Sequence, residues 1–76
     1  MPRYYFNVLN SNPSLDDLGE YLPDKEAAWR QATITAGEIF KAIDGSLRPG
    51  QEWTLEVTDE ARRAVYIIHI EAKQMG

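Results

Sequence analysis

The chain contains no cysteine and a single histidine among its 76 residues. The lack of cysteine excludes a disulfide framework and a thiolate zinc site, on which small secreted domains often depend. We therefore expect a reducing compartment and a cytoplasmic location. No apolar run is long enough for a membrane span or for a secretory signal peptide, so no membrane partner is expected.

Basic charge is also scarce, because twelve acidic residues stand against eight basic ones and give a formal net charge of −4. Proteins that bind nucleic acid draw much of their affinity from lysine and arginine contacts with phosphate. The composition therefore argues against a DNA or RNA partner. The apolar fraction of 43% and the charged fraction of 26% are ordinary for a globular protein. A chain of this length has room for one core, so we expect a single domain over residues 1–76.

The residue pattern predicts two β-hairpins, one on each side of a helix. Residues 3–9 are rich in aromatic and β-branched side chains, and turn formers follow at 10–14. An acidic segment over 15–22 predicts a second, weaker strand. Residues 52–58 alternate between polar and apolar side chains, and 64–72 is the most strand-like stretch in the chain.

The central segment predicts an amphipathic helix of about five turns. Asp24 predicts its start, because this side chain can accept a hydrogen bond from a free N–H group of the first turn. Residues 44–45, Asp-Gly, predict its end. Trp29 and Phe40 lie at the edge of the apolar stripe. The stripe itself consists of Ala28, Ala32, Thr35, Ala36, Ile39 and Ile43.

These elements predict an α+β fold of order ββαββ, in which one helix packs on one face of a four-stranded sheet. The first and fourth strands are apolar on both faces, as buried central strands are, whereas the second is acidic and the third is half polar. We therefore expect the strand order 2-1-4-3. The side chains expected to meet the helix are Tyr4, Phe6, Val8, Trp53, Leu55, Val57, Tyr66, Ile68 and Ile70.

Three short motifs carry a resemblance to a known family. They are residues 1–6 (MPRYYF), residues 19–24 (GEYLPD) with alanines soon after, and residues 57–60 (VTDE). In this order and spacing they resemble a domain of unknown function found in very small proteins of rhizobia and related alphaproteobacteria. The chain departs from the family at 61–63, where Ala-Arg-Arg stands and the family usually has glycine before the arginine. The resemblance implies a bacterial origin and one compact domain, and it transfers no activity or site residue.

The single histidine, His69, is the first place to look for chemistry. Glu71 follows it on the same face of the predicted strand, so the two side chains can touch. A catalytic or metal-binding imidazole needs further partners, and no other residue completes a triad or a ligand set. The acidic group around Asp16 matches no calcium loop and fits a solvated edge strand. We therefore expect no enzyme activity and no catalytic, cofactor-binding or metal site.

One helix covers a single face of a four-stranded sheet, so the opposite face is expected to remain open. The strand period of two places a mostly apolar set of side chains on that face, and self-association would bury them. The candidate interface consists of Tyr5, Leu9, Val65, Ile67 and His69. We expect a non-enzymatic binding or assembly module that acts through this face, as a homodimer or with another protein partner.

Two other functions are open on the sequence. The chain could be a small-molecule-binding protein or weak enzyme with a pocket between helix and sheet near Trp29, Trp53 and His69, although so small a domain has little volume to spare. Single-stranded nucleic acid could stack on Tyr5, but the net negative charge opposes this. Both rank below assembly.

Overall fold

The structure, a computed structural model, describes residues 1–10, 13–43 and 48–76. In this part of the chain, four antiparallel strands form one sheet and one helix packs on it. The strands are β1 (Arg3–Leu9), β2 (Glu20–Tyr21), β3 (Glu52–Thr58) and β4 (Ala64–Glu71), and the helix is α1 (Lys25–Ile43). The α+β class and the ββαββ order are thus confirmed.

The second strand is much shorter than the eight residues predicted for it. Its two residues pair with the start of β1, Glu20 with Tyr4 and Tyr21 with Arg3. The chain before them forms a loop, in which Gly19 has a φ of 72°. A side chain at this position would be strained by its backbone conformation, so the glycine sets the turn that leads into β2.

Helix α1 begins where the sequence predicts. The N–H of Ala27 donates to Oδ1 of Asp24 at 2.9 Å, and the N–H of Ala28 donates to the Asp24 carbonyl oxygen at 3.1 Å. This is the N-cap expected of an aspartate. The predicted helix end at 44–45 lies outside the described residues. No helix in the described ranges has the length and apolar character needed to cross a membrane.

The buried side of α1 is lined by alanines at 28, 32 and 36, as the stripe predicts. Their small side chains let the helix lie close to the sheet. Trp29 is 38% exposed, and its ring packs against that of Tyr66 with the centroids 5.2 Å apart. Trp29 therefore lies at the edge of the helix–sheet interface, whereas Trp53 is buried within it.

The strand order is β2-β1-β3-β4, so the predicted order 2-1-4-3 is wrong. The polar face of β3 suggested an edge strand, but a central strand also alternates when one face of its sheet is open to water. The connection from β2 through α1 to β3 is a second reason for the observed strand order. Strands β2 and β3 are parallel and flank β1, so α1 crosses two strand spacings, which total about 10 Å and match the diameter of a helix.

The core lies between α1 and the sheet face that was predicted to meet it. Trp53, Leu55 and Val57 of the central strand β3 are almost completely buried there, together with Tyr4 of β1. Partly buried side chains from the neighbouring strands pack around them, namely Phe6, Val8, Tyr66, Ile68 and Ile70. The inward faces of β1, β3 and β4 are thus confirmed residue by residue.

Candidate functional site

The sheet face opposite α1 is divided by the polar side chains of β3. Thr54, Glu56 and Thr58 lie on this face, between the outward side chains of β1 and those of β4. Leu9, for example, is opposite Thr54, and Thr54 is opposite His69. The observed strand order therefore separates the predicted interface residues of β1 from those of β4, and they do not form one continuous apolar row.

At the β1 side, this face is covered by the chain's own β3–β4 hairpin. Tyr5 is 7% exposed, because the guanidinium group of Arg62 lies 3.7 Å from the centroid of its ring. The Tyr5 hydroxyl accepts a hydrogen bond from Nη1 of Arg3 at 3.3 Å. Nη1 of Arg62 also donates to the carbonyl oxygen of Asp16, at 3.3 Å. A cation–π contact of this kind shields Tyr5 from a partner protein.

The hairpin turn that carries Arg62 is organised by Asp59. The Arg62 N–H donates to the Asp59 carbonyl oxygen at 2.9 Å. The N–H groups of Ala61 and Arg63 donate to Oδ1 of the Asp59 side chain at 2.9 and 3.0 Å. The bond from Arg63 is the main cause that lowers the pKa of the Asp59 carboxyl, against an opposing effect of desolvation. Arg62 itself has a φ of 63°. This is a left-handed conformation that favours glycine.

Asp16 fastens the loop between β1 and β2 to the sheet. Its Oδ2 accepts the Phe6 N–H at 3.1 Å, and its Oδ1 accepts the N–H groups of Leu18 and Gly19 at 3.1 and 3.0 Å. Its own N–H donates to Oδ1 of the buried Asn7 at 2.9 Å. Burial alone would raise the pKa of Asp16, but these backbone hydrogen bonds and the charge of Arg62 outweigh it and lower the pKa. The predicted role of a solvated edge residue therefore does not describe Asp16.

Val65 does not extend the open face either. The pairing of β3 with β4 shifts register at Val57 and Thr58, where Val57 pairs with Tyr66 and Thr58 pairs with Ala64. Val65 is the extra residue, and it packs against the core. A bulge of this kind interrupts the alternation of side chains, which the sequence pattern alone had extended to Val65.

The outward side of β4 is the accessible part of the predicted interface. Ile67 lies in the middle of the strand and is 60% exposed, and His69 is exposed next to it. Strand β4 is also the last in the sheet, so its outer edge has no strand partner within the described ranges. An apolar side chain and an unpaired backbone edge thus occur together on one strand.

A polar cluster lies at the far end of the β3–β4 hairpin. Nε2 of His69 is 3.4 Å from Oε2 of Glu52 and 3.8 Å from Oε2 of Glu71. Nδ1 of the same ring lies 2.9 Å from Oγ1 of Thr54. One ligand atom from each of Glu52, His69 and Glu71 falls within 4.8 Å of the others. The contact between His69 and Glu71 is the one the sequence suggested.

Glu52 is the member of this cluster that sequence reasoning missed. It is the direct cross-strand partner of Glu71, and Thr54 is the direct partner of His69. A regular hairpin closed around a turn at 59–63 would pair Glu52 with Ile70, so the register shift at Val57 and Thr58 is what brings Glu52 opposite Glu71, and the sequence pattern did not show it.

The residues proposed to line a pocket between helix and sheet are not brought together. Trp53 is buried on the helix side of β3, and its pairing partner is Ile70. His69 directly precedes Ile70 in β4, so its side chain points to the opposite face of the sheet. A single pocket cannot use both side chains.

Residues 3–71 match a family described as a domain of unknown function, DUF6894, so the chain belongs to that family. The match includes all four strands and the helix. No significant match to a curated protein or to a solved structure was found.

Proposed function

We propose that this member of the DUF6894 family is a non-enzymatic assembly module that forms a homodimer by antiparallel pairing of two β4 strands. The observation that carries the proposal is the outer edge of β4, which no strand of the described residues pairs with and which has the exposed Ile67 at its centre. An unpaired edge is a template for another strand, because its free N–H and C=O groups need hydrogen-bond partners.

The two edges of the sheet differ in a way that supports this choice. Strand β2 has two residues, and a strand this short offers little to pair with. Strand β4 has eight residues, with the sequence AVYIIHIE. It lacks the proline, lysine and arginine with which proteins commonly block an exposed edge. The long edge is therefore suited to a partner strand.

A second copy of the chain is the partner that fits this edge best. A two-fold axis near Ile67 brings the same apolar side chain of both copies together, which is the self-complementarity that a homodimer requires. The same axis places the two Glu71 residues at opposite ends of the seam, so their charges do not oppose each other. A parallel, in-register pairing would place them side by side.

The candidate interface from the sequence is thereby reduced to its β4 members, Ile67 and His69. Tyr5 is covered by Arg62, and Val65 packs on the core. An interface of standard size buries about 800 Å² on each partner, or about a seventh of the 5391 Å² surface of this chain. A seam formed by one strand is smaller, so we propose a dimer of modest stability rather than an obligate one.

The remaining features of the proposal concern origin and location. The resemblance in the sequence supports an alphaproteobacterial origin, and the absence of cysteine supports a cytoplasmic location. The net charge of −4 supports a protein partner over a nucleic acid. A pocket-based function has less support, because Trp53 and His69 lie on opposite faces of the sheet.

Sedimentation equilibrium tests the dimer. The wild type is expected to be dimeric at about 100 µM, a concentration that corresponds to a binding free energy of about −5.5 kcal/mol. Ile67→Lys is expected to be a folded monomer, because it places two ammonium groups at the two-fold axis. Ile34→Lys is the matched control, since Ile34 is 49% exposed on the helix and is not part of the proposed seam; it should dimerise like wild type.

Amide hydrogen exchange locates the seam independently. Backbone N–H groups on the outer edge of β4 should become protected in the wild-type dimer and exchange rapidly in Ile67→Lys. A wild type that is monomeric at about 100 µM refutes the proposal. A dimer that survives Ile67→Lys and leaves the β4 amides unprotected refutes the edge as its site.

A further inference from the structure

We infer that Glu52, His69 and Glu71 form a binding site for a divalent transition-metal ion of the zinc class. All three residues belong to one chain and come from two neighbouring strands. The site therefore does not depend on the proposed dimer, and it adds a ligand to a protein for which the sequence predicted none.

The distances from the His69 imidazole to the two carboxylates are close to those that a bound ion requires. Zinc binds histidine nitrogen and carboxylate oxygen at about 2.0–2.2 Å in tetrahedral geometry, so two ligand atoms of one ion lie about 3.4 Å apart. Nε2 of His69 is 3.4 Å from one carboxylate oxygen, of Glu52, and 3.8 Å from the other, of Glu71. The ligand atoms of all three residues lie within 4.8 Å of one another, so these exposed side chains would have to approach each other to reach the spacing of about 3.4 Å.

Thr54 holds the imidazole in the orientation that metal binding needs. Its Oγ1 lies 2.9 Å from Nδ1 of His69, on the ring nitrogen that does not face the carboxylates. When Nε2 binds a metal, Nδ1 carries the proton and donates it to an acceptor, which fixes the ring. Thr54 is the direct cross-strand partner of His69, so the strand pairing itself positions this contact.

The pairing of Glu52 with Glu71 is a separate observation that favours a cation. Directly opposed like charges destabilise an antiparallel sheet, and these two carboxylates are direct cross-strand partners. Nζ of Lys73 is 3.2 Å from Oε1 of Glu71, which leaves Oε2 facing the imidazole. A divalent ion between the two Oε2 atoms would replace repulsion by two coordination bonds.

The donor set selects the class of ion. One imidazole nitrogen with two carboxylate oxygens suits zinc and its neighbours in the transition series, whereas calcium and magnesium prefer oxygen ligands throughout. Three protein ligands leave a fourth position for water or for a group from another molecule. We therefore use Zn²⁺ as the probe and Mg²⁺ as the comparison ion.

Isothermal titration of untagged protein with Zn²⁺ near neutral pH tests the site. Wild type should show saturable binding of one ion per chain, and Mg²⁺ should bind at least about 10-fold more weakly. His69→Gln and Glu52→Gln should each weaken Zn²⁺ binding by at least about 10-fold, because each removes a direct ligand. Glu38→Gln changes the net charge like Glu52→Gln at an exposed helix position, so it should leave binding unchanged.

Two further measurements separate a built site from adventitious binding. Zn²⁺ should shift the ring resonances of His69 at one equivalent, and Thr54→Val should weaken binding by about 10-fold by removing the contact to Nδ1. Equal Zn²⁺ affinity in His69→Gln and wild type would falsify the inference. The same holds if wild type binds Zn²⁺ without saturation. Repeating the titration on monomeric Ile67→Lys should leave the one-ion stoichiometry intact, so a failed dimer proposal does not affect this test.

Discussion

Asp16 is the residue whose replacement tests the description of the β1–β2 loop most directly. Its carboxylate accepts three backbone hydrogen bonds, from Phe6, Leu18 and Gly19. Asp16→Asn removes the charge and one acceptor oxygen while it preserves the size of the side chain. The loop then loses its charged acceptor at the point where it meets β1.

The expected loss follows from the hydrogen bonds. A bond to a charged group contributes about 1.5–3 kcal/mol net, and an amide oxygen can retain part of one or two of them. Since the carboxylate is also partly solvated, we expect a loss of about 2–3 kcal/mol. That is a large share of the roughly 4–11 kcal/mol expected for 76 residues at 0.05–0.15 kcal/mol each.

Urea unfolding followed by circular dichroism measures this loss. At about 1 kcal/mol per molar urea, the midpoint of Asp16→Asn should fall by about 2–3 M. Asp17→Asn makes the same change of charge at the next residue, which is exposed, and should change stability by less than about 0.5 kcal/mol. If the two variants are equally stable at neutral pH, the Asp16 hydrogen bonds do not hold the loop.

The pH dependence has a definite sign. The pKa of folded Asp16 lies below the ordinary value of 3.8, so its ionisation stabilises the fold at all pH values above that value. This contribution is lost as the pH falls below 3.8 and through the lowered pKa of the folded state. The stability difference between wild type and Asp16→Asn should therefore shrink as the pH is lowered below about 4. A difference that is constant from pH 7 to about pH 2.5 contradicts this account.

Two further predictions concern backbone conformation, and thermal unfolding checks both. Gly19→Ala should destabilise the protein by at least about 1 kcal/mol, because φ is 72° and a Cβ atom would lie 2.7 Å from Cγ of Arg3. Gly37→Ala, in mid-helix where nothing beyond the adjacent helix backbone lies within 4 Å of the added Cβ, should stabilise the protein by about 1 kcal/mol, and the same sign at both positions would refute the conformations described. Arg62→Gly should be about 1 kcal/mol more stable than Arg62→Ala, because both lose the contact with Tyr5 but glycine alone tolerates a φ of 63°. Equal stability of these two variants would mean that the turn relaxes when the arginine is removed.

Each prediction of a strand or of the helix that succeeded rested on residues close together in the sequence. The bounds of β1 and β3 follow from runs of strand-forming residues between turn formers, and Asp24 caps the helix as its side chain requires. The buried alanines of α1 follow from the helical period. In each case, the residues that decide the structure are close together in the sequence.

The failures share a different property. Strand order and the cover of Arg62 over Tyr5 depend on residues far apart along the chain, and the bulge at Val65 depends on the register of β4 against β3 and not on the pattern of β4 alone. A β-strand with one polar face can be a central strand or an edge strand. Its alternation shows which face meets water, and it does not show how many strands pair with it. The composition of β3 was therefore not enough to tell whether it is an edge strand or a central one.

What the sequence determined by itself is the set of elements, their inward faces and the α+β class, since periodicity and capping are local properties of the chain. What the tertiary structure decided is which side chains share a surface. The register of β3 against β4, shifted by the bulge at Val65, brings Glu52 to His69 and Glu71, and the pairing of β3 with β1 separates Tyr5 from Ile67. Both outcomes arise because strand pairing joins residues distant in sequence, and the choice among pairings is made by the whole core.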